Sequence, residues 1–190
     1  MDFALNETQS TVEEATRRFA QDMLAPGAKQ REDDHRIPPE LIRSLGEQGL
    51  LGVNVSADFG GSEAGVVAYA AAVREVARAD ASVAVTMAVT NMVAEVLMQF
   101  GTDAQRQTHV PKLVSGEYYA GAFALSETGS GSDAAAMKTR AEKKGDRWIL
   151  NGEKMWITSG DDAGVIVVWA KTGGPDSKAI SCFLVEKDTP

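Results

Sequence analysis

Cysteine and histidine are scarce in this sequence of 190 residues. The single cysteine, Cys182, excludes an intramolecular disulfide and any cysteine-rich metal site. Its isolation fits a reducing compartment, so we expect a cytoplasmic protein in which Cys182 is a small apolar core residue. The two histidines, His35 and His109, make neither a metal site nor a catalytic triad, and both are expected on the solvated surface.

Basic residues are also in the minority. Lys and Arg number 19 against 27 Asp and Glu, which gives a formal net charge of −8. This balance argues against nucleic acid or an anionic membrane surface as the main partner, because both are bound through clustered cations. Residues 1–5 lead directly into a polar helical pattern, so no secretory signal is expected there.

The sequence contains no long apolar run without polar interruptions. The longest candidate, residues 83–100, is broken by Thr86, Thr90, Asn91, Glu95 and Gln99. Such a segment suits a buried helix better than a lipid bilayer. The chain is 44% hydrophobic and 24% charged, which is typical of a globular protein.

Helical periodicity dominates the first 116 residues. The predicted helices are Thr8 to Met23, a short helix opening at Pro38-Pro39, one carrying Val66 to Val76, Val83 to Phe100, and one beginning at Thr102. Pro26-Gly27 is expected to end the first helix, and Thr102 with Gln105 forms a capping box. Five helices with short connections predict a bundle.

After Gly116 the pattern changes to that of antiparallel strands. The predicted strands are Tyr118 to Ser126, Lys138 to Lys144, Arg147 to Leu150, Val165 to Ala170 and Ile180 to Val185. The last two are continuous apolar runs, as expected of strands buried on both faces. Asn151-Gly152 is the strongest hairpin signal, and the strand that returns from it is expected to carry residues 154–160.

These patterns predict an α+β protein with two domains. Residues 1–116 form an N-terminal helical bundle, and residues 117–190 form an antiparallel, β-barrel-like domain. The sequence stops at Asp188-Thr189-Pro190 directly after an apolar strand. We therefore expect it to be the front part of a longer protein.

A loop rich in glycine and hydroxyl groups follows the first predicted strand. The segment from Phe123 to Asp133 reads FALSETGSGSD. Glycines let the backbone approach a ligand closely, and backbone amides with serine hydroxyls can hydrogen-bond a pyrophosphate. The spacing matches neither the lysine-bearing phosphate loop nor the Rossmann motif. A Ser/Gly hairpin loop without a ligand explains the same residues.

Trp156 and Thr158 form a second candidate pair. Alternation along a strand would place both on one face, so that an aromatic plane lies beside a hydroxyl donor. Such a pair suits a flat heteroaromatic ligand. A core tryptophan packed beside a threonine is the alternative explanation.

Together the two segments resemble the signatures of the acyl-CoA dehydrogenase family. Ala124 to Asp133 meets the first signature in full. Trp156 to Thr158 meets the second, after which Ser159 stands where the family usually has Asn. Further matching segments are Phe59-Gly60-Gly61, Phe100-Gly101-Thr102 and Lys112 to Glu117. The resemblance therefore spans nearly the whole chain.

The resemblance implies FAD as the cofactor and no metal. The implied flavin-binding residues are Phe123, Ala124, Leu125 and Ser126 along the ring, Gly131 and Ser132 at the pyrophosphate, and Trp156, Ile157 and Thr158 against the isoalloxazine. Thr158 would donate near flavin N5. Ser132 would also contact the acyl-CoA substrate.

The implied activity is dehydrogenation of an acyl-CoA thioester to the trans-2-enoyl-CoA, a step of fatty acid β-oxidation, with electrons passed to an electron-transfer flavoprotein. Short-chain or branched-chain substrates fit best, and the intact protein is expected to be a homo-oligomer, a dimer or tetramer. The family's general base is a Glu of a C-terminal helical domain that this sequence does not contain. Glu127 and Glu153 are not candidates, so no catalytic residue is assigned and the chain alone is expected to have negligible activity.

Two rival interpretations stay open at this point. An acyl-CoA oxidase, a nitroalkane oxidase or a flavin-dependent hydroxylase shares the same scaffold, and the reactivity of the reduced flavin with oxygen distinguishes these enzymes from a dehydrogenase. The second alternative is a shortened, non-catalytic paralogue that acts as a partner subunit.

Overall fold

The computed structural model describes residues 4–173 and 179–189. The chain divides into two compact units, Met1–Ala120 and Gly121–Pro190. The first unit is helical and the second contains a sheet, which confirms the predicted α+β class. The predicted change of pattern at Gly116 lies shortly before the division. Residues 1–3 and Pro190, on which the expectations about the two ends of the chain partly depend, lie outside the described residues.

Six α-helices form the described part of the first unit. They are α1 Glu7–Phe19, α2 Ala28–Asp33, α3 Pro39–Glu47, α4 Val66–Ala79, α5 Ala81–Phe100 and α6 Asp103–Val114. The five predicted helices correspond to α1 and to α3 through α6. Capping boxes begin α1 at Asn6 and α6 at Thr102, and the box at Thr102 was predicted.

The first helix does not end at Pro26-Gly27, and that prediction is wrong. The chain continues from α1 through a π-helical turn, Ala20–Leu24, and a 3-10 turn into α2. Pro26 is tolerated because it lies in the first turn of the 3-10 segment, where a backbone N–H is not required. The guanidinium of Arg31 donates to the Leu24 carbonyl and, through Nε, to Asp80 at 2.8 Å.

The core of the first unit is centred on α5. This helix is long and apolar enough to cross a membrane, yet half of that apolar stretch is buried inside the unit. The buried Asn91 amide donates to the carbonyls of Leu50 and Met87 and accepts from Val53 N at 2.9 Å. These bonds tie the middle of α5 to the chain after α3, so α5 is a core helix, as predicted.

His109 is buried, and the prediction of a solvated residue is wrong for it. Its Nδ1 lies 3.2 Å from the Tyr118 hydroxyl oxygen. Gly116, with a φ of +73°, turns the chain after α6 so that Tyr118 comes back along the helix and covers the imidazole. His35 is exposed, as predicted.

Five strands make up the described sheet of the second unit. They are β1 Gly121–Ala124, β2 Arg140–Lys144, β3 Arg147–Asn151, β4 Val165–Lys171 and β5 Ile180–Glu186. β4 is central: it pairs along its length with β5, and on its other side with β1 and, at one residue, with β2.

The sheet is mixed and open, which corrects the expectation of purely antiparallel strands. β1 pairs with β4 in parallel, as does β2 through Arg140 and Lys171, while the β2–β3 and β4–β5 pairs are antiparallel. Strand composition does not encode the direction of a distant partner, and β1 and β4 are joined by a long crossover. The predicted helical bundle followed by a sheet holds at the coarser level.

The predicted hairpin at Asn151-Gly152 and the strand after it are also wrong. The β2–β3 hairpin turns at Gly145-Asp146, with Lys144 paired to Arg147, and Asn151 is the last residue of β3. Gly152 then packs against Thr139, and the chain leaves the sheet. A Cβ atom at residue 152 would lie 2.5 Å from the Thr139 hydroxyl oxygen. Gly152 is therefore needed for packing rather than for a two-residue turn.

Cys182 is exposed, which corrects its predicted place in the core. It lies on β5, whose residues are half-buried or exposed rather than buried on both faces. β5 has a neighbour only on its β4 side among the described strands, and one of its faces carries Phe183 packed edge-on against Trp148 of β3.

Candidate functional site

The Ser/Gly loop begins where β1 ends. Glu127 and Ser130 close a tight turn through two backbone hydrogen bonds of 2.8 and 3.1 Å. The Ser130 hydroxyl donates to the Asp133 carbonyl at 2.7 Å and fixes the rest of the loop. Apart from the glycine and its two chain neighbours, no described atom would lie within 4 Å of a Cβ atom added at Gly129 or Gly131. The backbone of this loop is therefore open to a ligand on its glycine side.

The segment after β3 is a turn with an unusual backbone. Trp156 and Ser159 have φ angles of +61° and +56°, in the left-handed region that residues other than glycine rarely adopt. The indole of Trp156 is 88% exposed. Because the segment is not a strand, Trp156 and Thr158 do not share a strand face as predicted. Backbone strain with an exposed aromatic side chain is a pattern found at ligand-binding sites.

The structure brings the two predicted segments together. Met155 N donates to the Ser126 carbonyl at 2.9 Å, and Lys154 Nζ donates to the Leu125 carbonyl at 2.9 Å. The loop that carries Ser126 and Ser132 and the turn that carries Trp156 are thus adjacent in one unit. The resemblance assigns residues of both segments to one flavin, which requires the two segments to lie side by side.

Glu127 anchors this arrangement from below the surface. Its carboxylate accepts hydrogen bonds from Lys138 N at 2.6 Å, Thr139 N at 2.9 Å, the Thr139 hydroxyl at 2.6 Å and Lys154 Nζ at 2.9 Å. Burial opposes ionisation, but the bonds from Thr139, Lys138 and Lys154 outweigh it and lower the pKa of Glu127 to about 2. A carboxylate so well satisfied is a poor general base.

A cavity of about 450 Å³ lies beside these segments. Its lining residues are Ala124, Lys154, Ile157, Gly160, Asp161, Ile166 and Val168. Two predicted flavin residues, Ala124 and Ile157, face it. Phe123, the residue before Ala124, points to the other sheet face and packs against Trp169 with ring centres 5.9 Å apart. Phe123 therefore reaches a ligand on the cavity side only through its backbone.

Three predicted hydroxyls are available to a ligand. The side chains of Ser126, Ser132 and Thr158 make no hydrogen bond to another residue within the described ranges. Neutral donors, open backbone amides and an exposed indole fit a planar heteroaromatic group linked to a diphosphate. In residues 4–173 and 179–189, no group of three or more His, Cys, Asp or Glu side chains could hold a metal ion.

The pairing of Lys154 with Glu127 was not predicted from the sequence. The pattern shows a lysine before Met155 and Trp156, and nothing in that pattern pairs it with an acid 27 positions earlier. The only available signal was that Lys154 lies inside the second candidate segment. Glu127 is not a candidate general base in the sequence, and its four hydrogen bonds agree with that interpretation.

Two family models match the chain. The acyl-CoA dehydrogenase N-terminal domain matches residues 6–117, and the acyl-CoA dehydrogenase middle domain matches residues 122–190. Both loop and turn of the candidate site lie in the second of these matches.

Curated relatives are similar along almost the entire chain. The mitochondrial isovaleryl-CoA dehydrogenase of Pongo abelii is 40% identical over 98% of this chain and 45% of its own length. The mitochondrial short/branched chain specific acyl-CoA dehydrogenase of Bos taurus is 38% identical over 96% of this chain and 42% of its own length. The chain thus spans a little under half the length of these two relatives.

Solved structures show the same likeness. Butyryl-CoA dehydrogenase from Megasphaera elsdenii has a TM-score of 0.91 at 35% identity, over 100% of this chain and 51% of its own. Glutaryl-CoA dehydrogenase from Mycobacterium smegmatis in complex with FADH2 has a TM-score of 0.91 at 32% identity, over 98% and 47%. A structure described as electron transferring flavoprotein of Acidaminococcus fermentans has a TM-score of 0.95 at 35% identity, over 100% and 50%.

Proposed function

We propose, because this chain belongs to the acyl-CoA dehydrogenase family, that it supplies the flavin-binding part of an enzyme that dehydrogenates an acyl-CoA thioester. The observation that carries the proposal is the hydrogen bond between Met155 N and the Ser126 carbonyl, which sets the Ser/Gly loop beside the exposed Trp156. The resemblance to the acyl-CoA dehydrogenase family that was identified from the sequence is confirmed by the two family models.

FAD is the cofactor that these residues fit. The donors on the loop are neutral amides and hydroxyls, so a pyrophosphate would be held by hydrogen bonds at Gly131 and Ser132 rather than by cations. Trp156 offers the aromatic plane, while Ile157 and Thr158 would border the ring. When bound, FAD supplies the acceptor for the hydride. Ser132, exposed on the loop, would also contact the acyl-CoA.

The residues of this chain would hold and orient the flavin, and none of them is proposed to abstract the substrate proton. Glu127 is committed to four hydrogen bonds, and its lowered pKa makes it a weak base. Glu153 is exposed and follows β3. We therefore assign the general base to a part of the whole protein that lies outside these 190 residues.

Substrate, product and electron acceptor belong to the same proposal. The names of the relatives, isovaleryl-CoA and short/branched chain specific acyl-CoA dehydrogenases, support a short or branched acyl group. The product would be the trans-2-enoyl-CoA, as in β-oxidation. The likeness to a structure described as electron transferring flavoprotein supports such a protein as the acceptor. A homo-oligomer in the cytoplasm remains our expectation for the whole protein.

The test is retention of flavin by the purified protein and by two tryptophan variants. We expect the wild type to hold FAD through gel filtration with its visible absorbance intact. Trp156→Ala removes an exposed ring, so the free energy of unfolding should change by less than about 0.5 kcal/mol. Flavin affinity should fall by about 1–3 kcal/mol, the value of stacking one base on an aromatic side chain.

Trp148→Ala is the matched control. Trp148 lies in the same unit, on β3, but its ring packs against Phe183 of β5. It should lower stability and leave flavin affinity unchanged. A colourless wild type, or equal flavin affinity in Trp156→Ala and wild type, would contradict the proposal. Dye reduction with butyryl-CoA should stay at background for the 190-residue chain alone.

A further inference from the structure

Glu127 joins three parts of the second unit that are distant in sequence. It belongs to the Ser/Gly loop, it accepts two backbone bonds and one hydroxyl bond from Lys138 and Thr139 just before β2, and it accepts one bond from Lys154 after β3. Its side chain is almost entirely buried. The bonds from Lys138 and Thr139 hold the carboxylate independently of the lysine.

Lys154 completes the connection. Its buried ammonium group donates at 2.9 Å both to the Glu127 carboxylate and to the Leu125 carbonyl. One residue later, Met155 N donates to the Ser126 carbonyl at 2.9 Å. Residues 125–127 and 154–155 are therefore fixed to each other at three points.

We infer that Glu127 and Lys154 are positioning residues for the flavin, which set the spacing between the Ser/Gly loop and the Trp156 turn. The inference rests on the proposed function and adds a role that neither family match assigns. Leu125 and Ser126 directly precede Glu127, and Trp156 follows Lys154 by two residues, so little free chain separates the pair from the atoms that contact the ligand.

The backbone of Trp156 strengthens the inference. A tryptophan at φ +61° is strained, and such a conformation persists only where the flanking chain is held. On the N-terminal side, the holding contacts are those of Lys154 and Met155. On the C-terminal side, Gly160 N and Ala163 N donate to the carbonyls of Ile157 and Ser159 at 3.1 and 2.8 Å. Loosening the N-terminal side should let the indole move away from the loop.

Four variants distinguish positioning from general stability. Lys154→Met removes the charge and both bonds, Lys154→Arg keeps the charge, and Glu127→Gln keeps the size of the side chain. The control is Arg31→Met, which breaks the Arg31–Asp80 ion pair of the first unit, a pair about as buried as Glu127–Lys154. Each purified variant is titrated with FAD, and the fraction of folded protein is measured by circular dichroism under the same conditions.

We expect Lys154→Met and Glu127→Gln to weaken FAD binding by about tenfold per folded molecule, comparable to the lower end of the loss caused by removing groups that orient metal ligands. The visible band of the remaining bound flavin should shift, and Lys154→Arg should recover part of the affinity. Arg31→Met should reduce the folded fraction and keep the wild-type affinity. Equal affinity in wild type and Lys154→Met would overturn the inference.

A measurement without flavin separates this inference from the proposed function. Hydrogen exchange of the Met155 amide reports its bond to the Ser126 carbonyl. In the cofactor-free protein, exchange at Met155 should be at least about tenfold faster in Lys154→Met than in wild type, with amides of β4 unaffected. A wild type that binds no flavin would refute the proposed function, whereas unchanged Met155 exchange would refute the positioning role itself.

Discussion

Among single residues, Glu127 and Trp156 stand at opposite extremes. Glu127 is buried and accepts four hydrogen bonds, whereas Trp156 is almost fully exposed in a strained conformation. A buried, satisfied carboxylate contributes to stability, and an exposed ring contributes little to it. The contrast separates a group that holds the Ser/Gly loop in place from a group that is left exposed to solvent.

Gly116 is a residue whose replacement should damage the first unit. It has a φ of +73°, and a methyl group there would lie 2.8 Å from the Ile42 carbonyl oxygen. Gly116→Ala combines backbone strain with this overlap, so we expect it to lower the free energy of unfolding by more than about 2 kcal/mol. Urea unfolding monitored by circular dichroism measures the loss.

Gly60→Ala is the control for that prediction. Gly60 also has a positive φ, +86°, but a methyl group there would make only an ordinary contact at 3.7 Å with Val114. It should cost about 1 kcal/mol from strain alone. Equal losses in the two variants would show that the overlap with Ile42 is relieved at no cost.

The residues of the site were predictable to different degrees. Ser126, Ser132 and Trp156 could be proposed as flavin-binding residues because glycine, hydroxyl and aromatic residues in fixed order form a recognisable pattern. The Lys154–Glu127 pair was not found, because an ion pair between residues 27 positions apart leaves no local signal. His109 was misplaced for the same reason: its neighbour Tyr118 lies beyond the end of α6.

At the scale of elements, the long N-terminal helical stretch from α1 to α2 depends on Arg31. The π-helical turn widens the helix before Pro26, and Arg31 satisfies the Leu24 carbonyl while pairing with Asp80, which caps α5 through Val83 N. Thus one side chain connects an irregular turn to the start of the core helix. Proline and glycine at 26–27 suggested a helix end because this tertiary support is not visible in the sequence.

Arg31→Met should therefore destabilise the first unit strongly. The change leaves Asp80 buried without its cation and the Leu24 carbonyl without its donor, so a loss of about 3 kcal/mol is expected in chemical unfolding. Lys29→Met serves as the control, since the Lys29–Asp33 pair lies in the same short helix but is exposed. That variant should cost less than about 0.5 kcal/mol. Similar losses in both would argue against the bridging role of Arg31.

The existence of helices and strands followed from the sequence, while their pairing did not. Apolar periodicity indicated helices such as α1 and α4, because burial of one face leaves a repeating signal, and continuous apolar runs indicated β4 and β5. Asn151-Gly152 gave a wrong hairpin prediction, because the glycine of this dipeptide is required by tight packing against Thr139 rather than by a turn. The parallel pairing of β1 with β4 depends on partners far apart in the chain, and no local pattern records it.

For the whole molecule, Glu75 in the first unit and Glu127 in the second are buried carboxylates whose neighbours favour the ionised form. Burial alone would raise the pKa of Glu75, but hydrogen bonds from Arg17 and Arg74 and the charge of Arg78 lower it. Glu127 is lowered to about 2 in the second unit. A lowered folded-state pKa contributes stability above the unfolded-state pKa, and this contribution is lost as the pH falls through the folded value.

Acid should therefore lower the free energy of unfolding of both units while they are still folded. For Glu127 the loss should run from the ordinary value of 4.5 down to about 2. We expect the wild-type free energy of unfolding to decrease across this range, and the decrease to be smaller in Glu75→Gln and Glu127→Gln, which start from lower stability at neutral pH. Urea unfolding at several pH values measures it. Glu153→Gln, which alters an exposed carboxylate, should retain the wild-type pH dependence.

The parallel pairing of β1 with β4 also bears on how the protein is made. A ribosome releases β1 about forty residues before β4, the strand that must pair beside it. During that interval the nascent chain carries an apolar strand with both edges open, the kind of surface that chaperones bind and that joins neighbouring nascent chains. Translational pauses between residues 124 and 165 should therefore increase aggregation, whereas pauses after residue 186 should not.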